Sequence, residues 1–419
     1  LEYLFKFLDS YDFTSSGSAK NKKEQGQLIN ASVLGLIFEK INGYKDGSFF
    51  TPGKITMYMA KKALYQSVLT KANEIFHLNI QRIEELAQIT RDISFSMEQR
   101  RKLSDAIDSL KILDPAVGSG HFLVSILNEI IALKASLRVL FDADGNLLNY
   151  ISCTVANDEL IIQDDYGNNY SYDASKPKSL KIQKALFNQK KKIIENCLYG
   201  VDLNPNSVNI CRLRLWTELL KNSYYEEDEN RDRHLTTLPN IDINIKVGNS
   251  LIHRFGLTDN FDLRKSEFKQ YTKLIKDYKN TGDKKLKHEI NEKINAIKKT
   301  FIDSFRTPEG DRFEEALNKL NKVGQGNLFK DFDSVEFSKL KEKADIARKK
   351  FENRKNDPFY KDSLEWRIEF PEVLDENGNF EGFDIVIANP PYIFARNQSF
   401  DKRTKEYYLK HYEVDEYQA

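Results

Sequence analysis

A chain of 419 residues exceeds what one ordinary core accommodates, which implies two or more lobes. Hydrophobic content of 40% with 12% aromatic residues excludes a disordered chain, and 64 Lys+Arg against 63 Asp+Glu give no whole-chain field for or against nucleic acid, so any basic footprint must be local. The 3 cysteines (Cys153, Cys197, Cys211) lack metal-ligand spacing, no apolar run approaches the ~20 residues of a membrane span and no signal peptide is present, which points to a cytoplasmic protein with reduced thiols, no metal site and no membrane association.

Residues 1–105 read as a helical lobe. Leu28, Ile29, Val33, Leu34, Ile37, Phe38 and Ile41 recur at helical spacing and Gly43 follows as a stop. Phe49-Phe50-Thr51-Pro52-Gly53 interrupts this pattern, and a further helix is expected through Met57, Ala60, Leu64 and Val68. Residues 106–261 alternate short apolar runs with helices. Lys111–Pro115 leads through a Gly-rich turn into a helix containing Phe122, Leu123, Ile126 and Ile130. Cys197–Leu203 ends in an acid and runs into the helix Val208–Leu220, and Ile241–Val247 leads to Gly248-Asn249-Ser250. A hairpin insertion is expected at 139–175, with Asp144-Gly145 and Tyr166-Gly167 among β-prone residues. Residues 262–356 are Lys- and Glu-rich at helical spacing, either a solvated helical excursion or a basic surface for DNA phosphate. In the last segment, 357–419, Phe383–Ala388 runs into Asn389-Pro390-Pro391-Tyr392. Strands apolar on both faces, alternating with helices, predict an α/β fold with a covered parallel sheet.

Two motifs carry chemistry. In Asp114-Pro115-Ala116-Val117-Gly118-Ser119-Gly120-His121-Phe122 the glycines allow a tight turn and close backbone approach to a ligand. Asp114 would repel a pyrophosphate, and no Gly-Lys-Ser/Thr follows, so the loop suits a cofactor with a positive group and no phosphate, S-adenosylmethionine. Asp202, ending the next strand, sits where acids bind ribose hydroxyls. In the second motif, the Asn389 side-chain oxygen and the Pro390 carbonyl can both accept from an amino group whose lone pair is delocalised into a ring. That would pull the nitrogen toward a tetrahedral geometry and return the lone pair for transfer. The prolines hold the carbonyl in place, and Tyr392 offers a face for stacking a base.

Taken together, these motifs resemble the gamma class of DNA adenine-N6 methyltransferases, and are most similar to the methyltransferase portion of type IIG restriction–modification enzymes. The order of Phe-Thr-Pro, Gly-rich loop, acid-ended strand and Asn-Pro-Pro-Tyr is that of the class. Glu369-Phe370-Pro371-Glu372-Val373 with Gly382-Phe383-Asp384, Arg212-Leu213-Arg214-Leu215-Trp216 and Leu34-Gly35-Leu36-Ile37-Phe38-Glu39 are similar to the type IIG enzymes. The resemblance implies a Rossmann-like class I methyltransferase sheet with an N-terminal helical lobe and a helical insertion. It implies Thr51 and Pro52 near the methionine end of S-adenosylmethionine, Asp114, Ala116, Gly118 and Gly120 lining it, Asp202 on its ribose, and Asn249 and Ser250 near its adenine. Asn249 stands where the family usually has Asp, and its amide can donate or accept. Asn389, Pro390, Pro391 and Tyr392 would be catalytic.

The implied partner is double-stranded DNA, with the target adenine flipped out of the stack. The family fold continues with three more strands and a recognition domain, whereas this sequence ends soon after Tyr392 and opens on Leu1. The sheet is therefore expected to be incomplete, its missing strands and recognition domain lying in the remainder of the protein or a partner chain, and Phe383–Ala388 is expected at an open edge. No Asp…Glu-x-Lys nuclease constellation is found, so an endonuclease would lie before Leu1. The alternatives are an RNA or protein-glutamine amino-methyltransferase, and a cofactor- or DNA-binding fragment without catalysis.

Overall fold

The computed structural model describes residues 51–227, 233–236, 238–257, 265–304, 308–325, 334–391 and 401–413. The helix expected over Leu28–Ile41, Phe50 of the Phe-Thr-Pro element and Tyr392 lie outside the described residues. Two compact units divide the chain: Leu1–Lys246 with Phe383–Ala419, and Val247–Gly382.

The described part of the first unit begins with three helices. α1 (Gly53–Phe76) buries Thr56, Ala60, Leu64, Val68 and Ala72, a stripe repeating every fourth residue, and stops where His77 turns left-handed. α2 (Ile83–Arg91) follows, and α3 (Met97–Asp108) starts in a capping box between Ser96 and Gln99. After β1 (Ile112–Asp114) the chain enters α4 (His121–Ser136), buried on every side from His121 to Lys134 and hence the centre of this unit. Strands β2 (Ile151–Ala156) and β3 (Glu159–Asp164) precede α5 (Pro177–Asn196), β4 (Leu198–Asp202) and α6 (Pro205–Leu220). A small antiparallel pair, β5 (Tyr225–Glu227) and β6 (Arg233–Leu235), leads to β7 (Ile245–Val247).

The main sheet has the order β7-β4-β1-β8, where β8 is Ile385–Val386. β1 is central and pairs in parallel with both β4 and β8, Ile112 lying opposite Leu198 on one side and Ile385 on the other. This is the α/β parallel arrangement predicted from the doubly apolar runs, and β8 is the outermost strand among the described residues, with Val386 61% exposed. Two strands are shorter than their apolar pattern suggests. Residues 242–244 turn instead of extending, because the buried Asn244 amide donates to the carbonyls of Ile194, Glu195 and Leu198. In 383–388 only Ile385 and Val386 pair as strand, since the Asp384 carboxylate accepts the Lys111 N–H at 2.7 Å in place of a backbone carbonyl.

Within 139–175 the chain forms the β2–β3 hairpin, with Ile151 opposite Asp164 and Ala156 opposite Glu159. Its two-residue turn is Asn157-Asp158, both at positive φ (52 and 63°), the geometry whose twist matches the strands. The sequence signals at Gly145 and Gly167 belong to a different, repeated turn. Asp142, Asp164 and Asp375 each take the N–H groups two and four residues on at their Oδ1, and a glycine at φ 79, 79 or 82° closes the loop three residues on.

The second unit contains α7 (Lys265–Asn280), α8 (Lys284–Ser304), α9 (Pro308–Gln325), α10 (Ser334–Lys355) and the short α11 (Trp366–Glu369). Tyr271 and Phe301 meet edge to face in its core, with the Tyr271 hydroxyl donating to the Ile368 carbonyl. Lys279–Glu372 (2.8 Å) and Lys298–Glu369 (2.7 Å) tie α7 and α8 to the segment around α11. Phe313 of α9 stacks on Phe351 of α10. After β8, α12 (Lys402–His411) starts at the Asp401 cap in the first unit. Among the described residues no helix is long and apolar enough to cross a membrane.

Candidate active site

The Gly-rich loop is folded by its own amides. Ala116 N donates to Asp114 Oδ1 (3.1 Å), Val117 N to the Val201 carbonyl (2.8 Å), Gly118 N to Asp202 Oδ2 (2.9 Å) and Gly120 N to the Val117 carbonyl (2.8 Å). Four backbone donors that could cradle a phosphate are therefore engaged inside the protein. Gly118 and Gly120 have φ of 51 and 81°, a region open to glycine. Gly120 has a second reason to lack a side chain: a Cβ would lie 2.7 Å from Cys211 Sγ of α6. The loop thus brings together Asp114, Ala116, Gly118, Gly120 and Asp202, at the carboxyl ends of β1 and β4, where ligands sit in open α/β sheets.

Asp114 is only 1% exposed. Burial raises its pKa to about 8, with the Asp202 charge adding to the rise and the Ala116 N–H opposing it. Such a carboxylate gains from a cation placed against the loop. A donor set of one buried acid, one partly exposed acid and internally satisfied amides fits a cationic ligand carrying hydroxyls and no phosphate. Asp202 also accepts from Asn204 N (2.8 Å), so the same carboxylate that closes the loop starts the turn into α6.

Three residues that support the loop were not foreseen in the sequence. Arg214, 2% exposed on α6, donates to both the carbonyl and the hydroxyl of Ser119 (3.1 Å each), with Nη2 3.4 Å from His121 Nδ1. Burial and the Arg214 charge hold the His121 pKa down at about 2, so the ring is neutral. Cys211 packs against Gly120, as above. The signal for Arg214 was a charge on the apolar face of its helix, in line with Val208, Cys211 and Leu215.

Asn389 follows β8 and is partly buried, while Pro390 and Pro391 are exposed. Its Nδ2 donates to Thr51 Oγ1 at 2.8 Å. The Thr56 hydroxyl reaches the carbonyls of Pro52 (3.4 Å) and Thr51 (3.5 Å), so the residues before α1 are tied to its first turn. Farther along α1, Lys71 pairs with Asp384 at 3.0 Å. One helix therefore holds both ends of the β8 segment.

Asn249 and Ser250 belong to the second unit. There the Asn249 Oδ1 accepts from Leu251 N (2.9 Å) and Ile252 N (3.1 Å), and Trp366 Nε1 donates to the Ser250 carbonyl (3.3 Å). The amide oxygen is thus used in its own turn. No group of three or more His, Cys, Asp or Glu able to hold a metal occurs among the described residues.

Residues 196–419 match the family described as Eco57I restriction-modification methylase. A curated protein of Methanocaldococcus jannaschii, named as a type II restriction enzyme and methyltransferase, is 26% identical over 431 aligned positions. The alignment covers 93% of this chain and 32% of that relative, so the chain spans about a third of the relative's length.

Proposed function

The chain belongs to the Eco57I restriction-modification methylase family, and on that premise we propose that it transfers a methyl group from S-adenosylmethionine to N6 of adenine in DNA, as the modification activity of a restriction–modification system. The observation that carries this reading is the Asn389 amide, held by Thr51 in a Pro-rich turn at the end of a central-sheet strand. With Nδ2 donating to Thr51, Oδ1 would be the amide's acceptor toward the substrate. Oδ1 and the Pro390 carbonyl would take the two N6 hydrogens, localising the lone pair that the purine ring otherwise withdraws. Tyr392 would stack on the base, which must leave the duplex to reach the turn.

The cofactor would lie along Asp114, Ala116, Gly118, Gly120 and Asp202, with Thr51 and Pro52 toward its methionine end and Asn249 and Ser250 toward its adenine. When bound, its sulfonium supplies an electrophilic methyl group. Asp114 provides negative charge beneath the loop, and Asp202 has carboxylate lone pairs for ribose hydroxyls. The gamma-class and type IIG assignments, and an endonuclease in the rest of the protein, belong to the same proposal and draw on the relative's printed name and greater length.

The test is methyl transfer from labelled S-adenosylmethionine to DNA by the intact protein, before and after Asn389→Ala. Loss of about a hundredfold or more in kcat is expected, the scale of removing one group that stabilises a transition state. Undiminished activity in the variant would sink the role of Asn389. Methylation of RNA or a protein amide, with none of DNA, would replace the substrate.

A further inference from the structure

The β2–β3 hairpin carries a buried acid that the chemistry above does not use. Asp158 sits at the second position of the two-residue turn with φ 63°, where glycine is the usual occupant. It is nonetheless an aspartate, 6% exposed and fully engaged with α4. Its Oδ1 accepts from the Ser125 hydroxyl at 2.6 Å, and its backbone carbonyl accepts from Asn128 Nδ2 at 2.8 Å. Aspartate tolerates the left-handed conformation better than most side chains, and a buried carboxylate there is open to a positioning task.

Its second oxygen points to that task. A Cβ built on Gly53, the first residue of α1, would lie 3.0 Å from Asp158 Oδ2. α1 has no side-chain cap hydrogen bond and no acidic residue in its first turn. A helix N-terminus carries partial positive charge on its unsatisfied N–H groups, and an anion there is stabilising. Asp158 brings that anion from a loop about a hundred residues away in sequence. Burial raises its pKa, while the Ser125 hydroxyl and the Arg214 charge oppose the rise.

We propose that Asp158 is a positioning residue for the catalytic turn: anchored on α4, it fixes the Gly53 end of α1, and through Pro52 and Thr51 it sets the Asn389 amide. The links are hydrogen bonds from Ser125 and Asn128 to Asp158, from the Thr56 hydroxyl to Pro52 and Thr51, and from Asn389 Nδ2 to Thr51 Oγ1, joined by the close approach of the Asp158 carboxylate to Gly53, a charge–dipole contact and not a hydrogen bond. The inserted hairpin is then a brace that connects the helix leaving the Gly-rich loop to the residue that handles the amino group. The inference rests on the proposed role of Asn389 for its catalytic consequence, but not for its contacts.

Asp158→Gly tests it without disturbing the turn, because positive φ suits glycine. In the intact protein, with S-adenosylmethionine and DNA, kcat should fall about tenfold or more while both KM values change little, since misplacement of a reacting group by a fraction of an ångström acts on the chemical step. Asp158→Gly added to Thr51→Val should lose no more than Thr51→Val alone. Without cofactor or DNA, hydrogen exchange at Ile55 and Thr56, whose amides donate to the Pro52 carbonyl, should quicken in Asp158→Gly. Gly53→Ala, which crowds the carboxylate from the other side, should repeat the kcat loss. Unchanged kcat, losses that multiply in the double variant, or unchanged exchange would each overturn the proposal. Quickened exchange in a protein whose wild type leaves DNA unmethylated would overturn the functional reading and uphold the brace.

Discussion

Asp114 combines near-complete burial with a pKa raised to about 8, chiefly by that burial. At neutral pH the free protein holds a proton there that a cation against the loop would expel. S-adenosylmethionine affinity should therefore weaken as pH falls below 8, by up to about tenfold per unit, and an Asp114→Asn variant should bind weakly with a flat profile. Calorimetry in buffers of different ionisation enthalpy reads the released proton directly; binding with no proton release would remove Asp114 from the cofactor's field. The residues of this loop and Asn389 were legible in the sequence because each motif is contiguous and its composition is tied to its chemistry. Arg214 and Asp158 were not. Their partners lie 95 and 33 residues away; Arg214 left only the faint signal of a charge on an apolar helix face, and nothing local distinguishes a buried turn aspartate from an exposed one. The Asn249 amide oxygen is used by its own turn, so any ligand contact there would fall to its amide nitrogen.

At the level of elements, α3, α4 and α5 meet on one carboxylate. Asp108, ending α3, takes Lys134 Nζ at 2.6 Å and Gln189 Nε2 at 2.7 Å on one oxygen and Lys192 at 2.9 Å on the other. Lys134 is fully buried, and burial lowers its pKa while Asp108 opposes the fall. Asp108→Ala should cost about 3–5 kcal/mol because it strands a buried ammonium, and adding Lys134→Met should recover part of the loss. Denaturant unfolding of the wild type and the two variants measures this; equal stability of the single and double variants would show that the pair is not the source. Elements were read best where one signal dominated. The apolar periodicity after the Gly-rich loop, the acid-ended strand and the helical spacing within 262–356 each pointed to one element type. Strand ends differ from the sequence reading at 241–244 and 383–384, where a buried amide and a side-chain carboxylate take over backbone pairing. The Asp-x-x-Gly-Asn turns could have been found as a repeat, since Asp142, Asp164 and Asp375 begin the same five-residue pattern.

For the whole molecule, pH couples to stability through two buried groups of opposite sign. Folded Asp114 keeps its proton up to about 8 and unfolded chain releases it near 3.8, so its contribution is full below pH 4 and is lost as pH rises toward 8. His121, near 2 when folded and 6.5 when unfolded, contributes stability that is lost as pH falls below 6.5. Asp114→Asn should therefore gain on the wild type by up to about 1.4 kcal/mol per pH unit between 4 and 8. Urea midpoints at pH 5 and 8 decide it, and a constant difference between the proteins would contradict it. The near-balance of charge hid these effects, because neither group alters the sum that composition reports. The sheet has a further consequence in time. The central strand finds one neighbour in β4, but its other side waits for β8, and Lys111 and Asp384 are 273 residues apart. At about 5–20 residues per second, synthesis of the intervening chain takes on the order of tens of seconds. During that interval the nascent protein presents an unpaired β1 edge on a half-built sheet, the most exposed moment for a chaperone to cover or for a neighbouring chain to join.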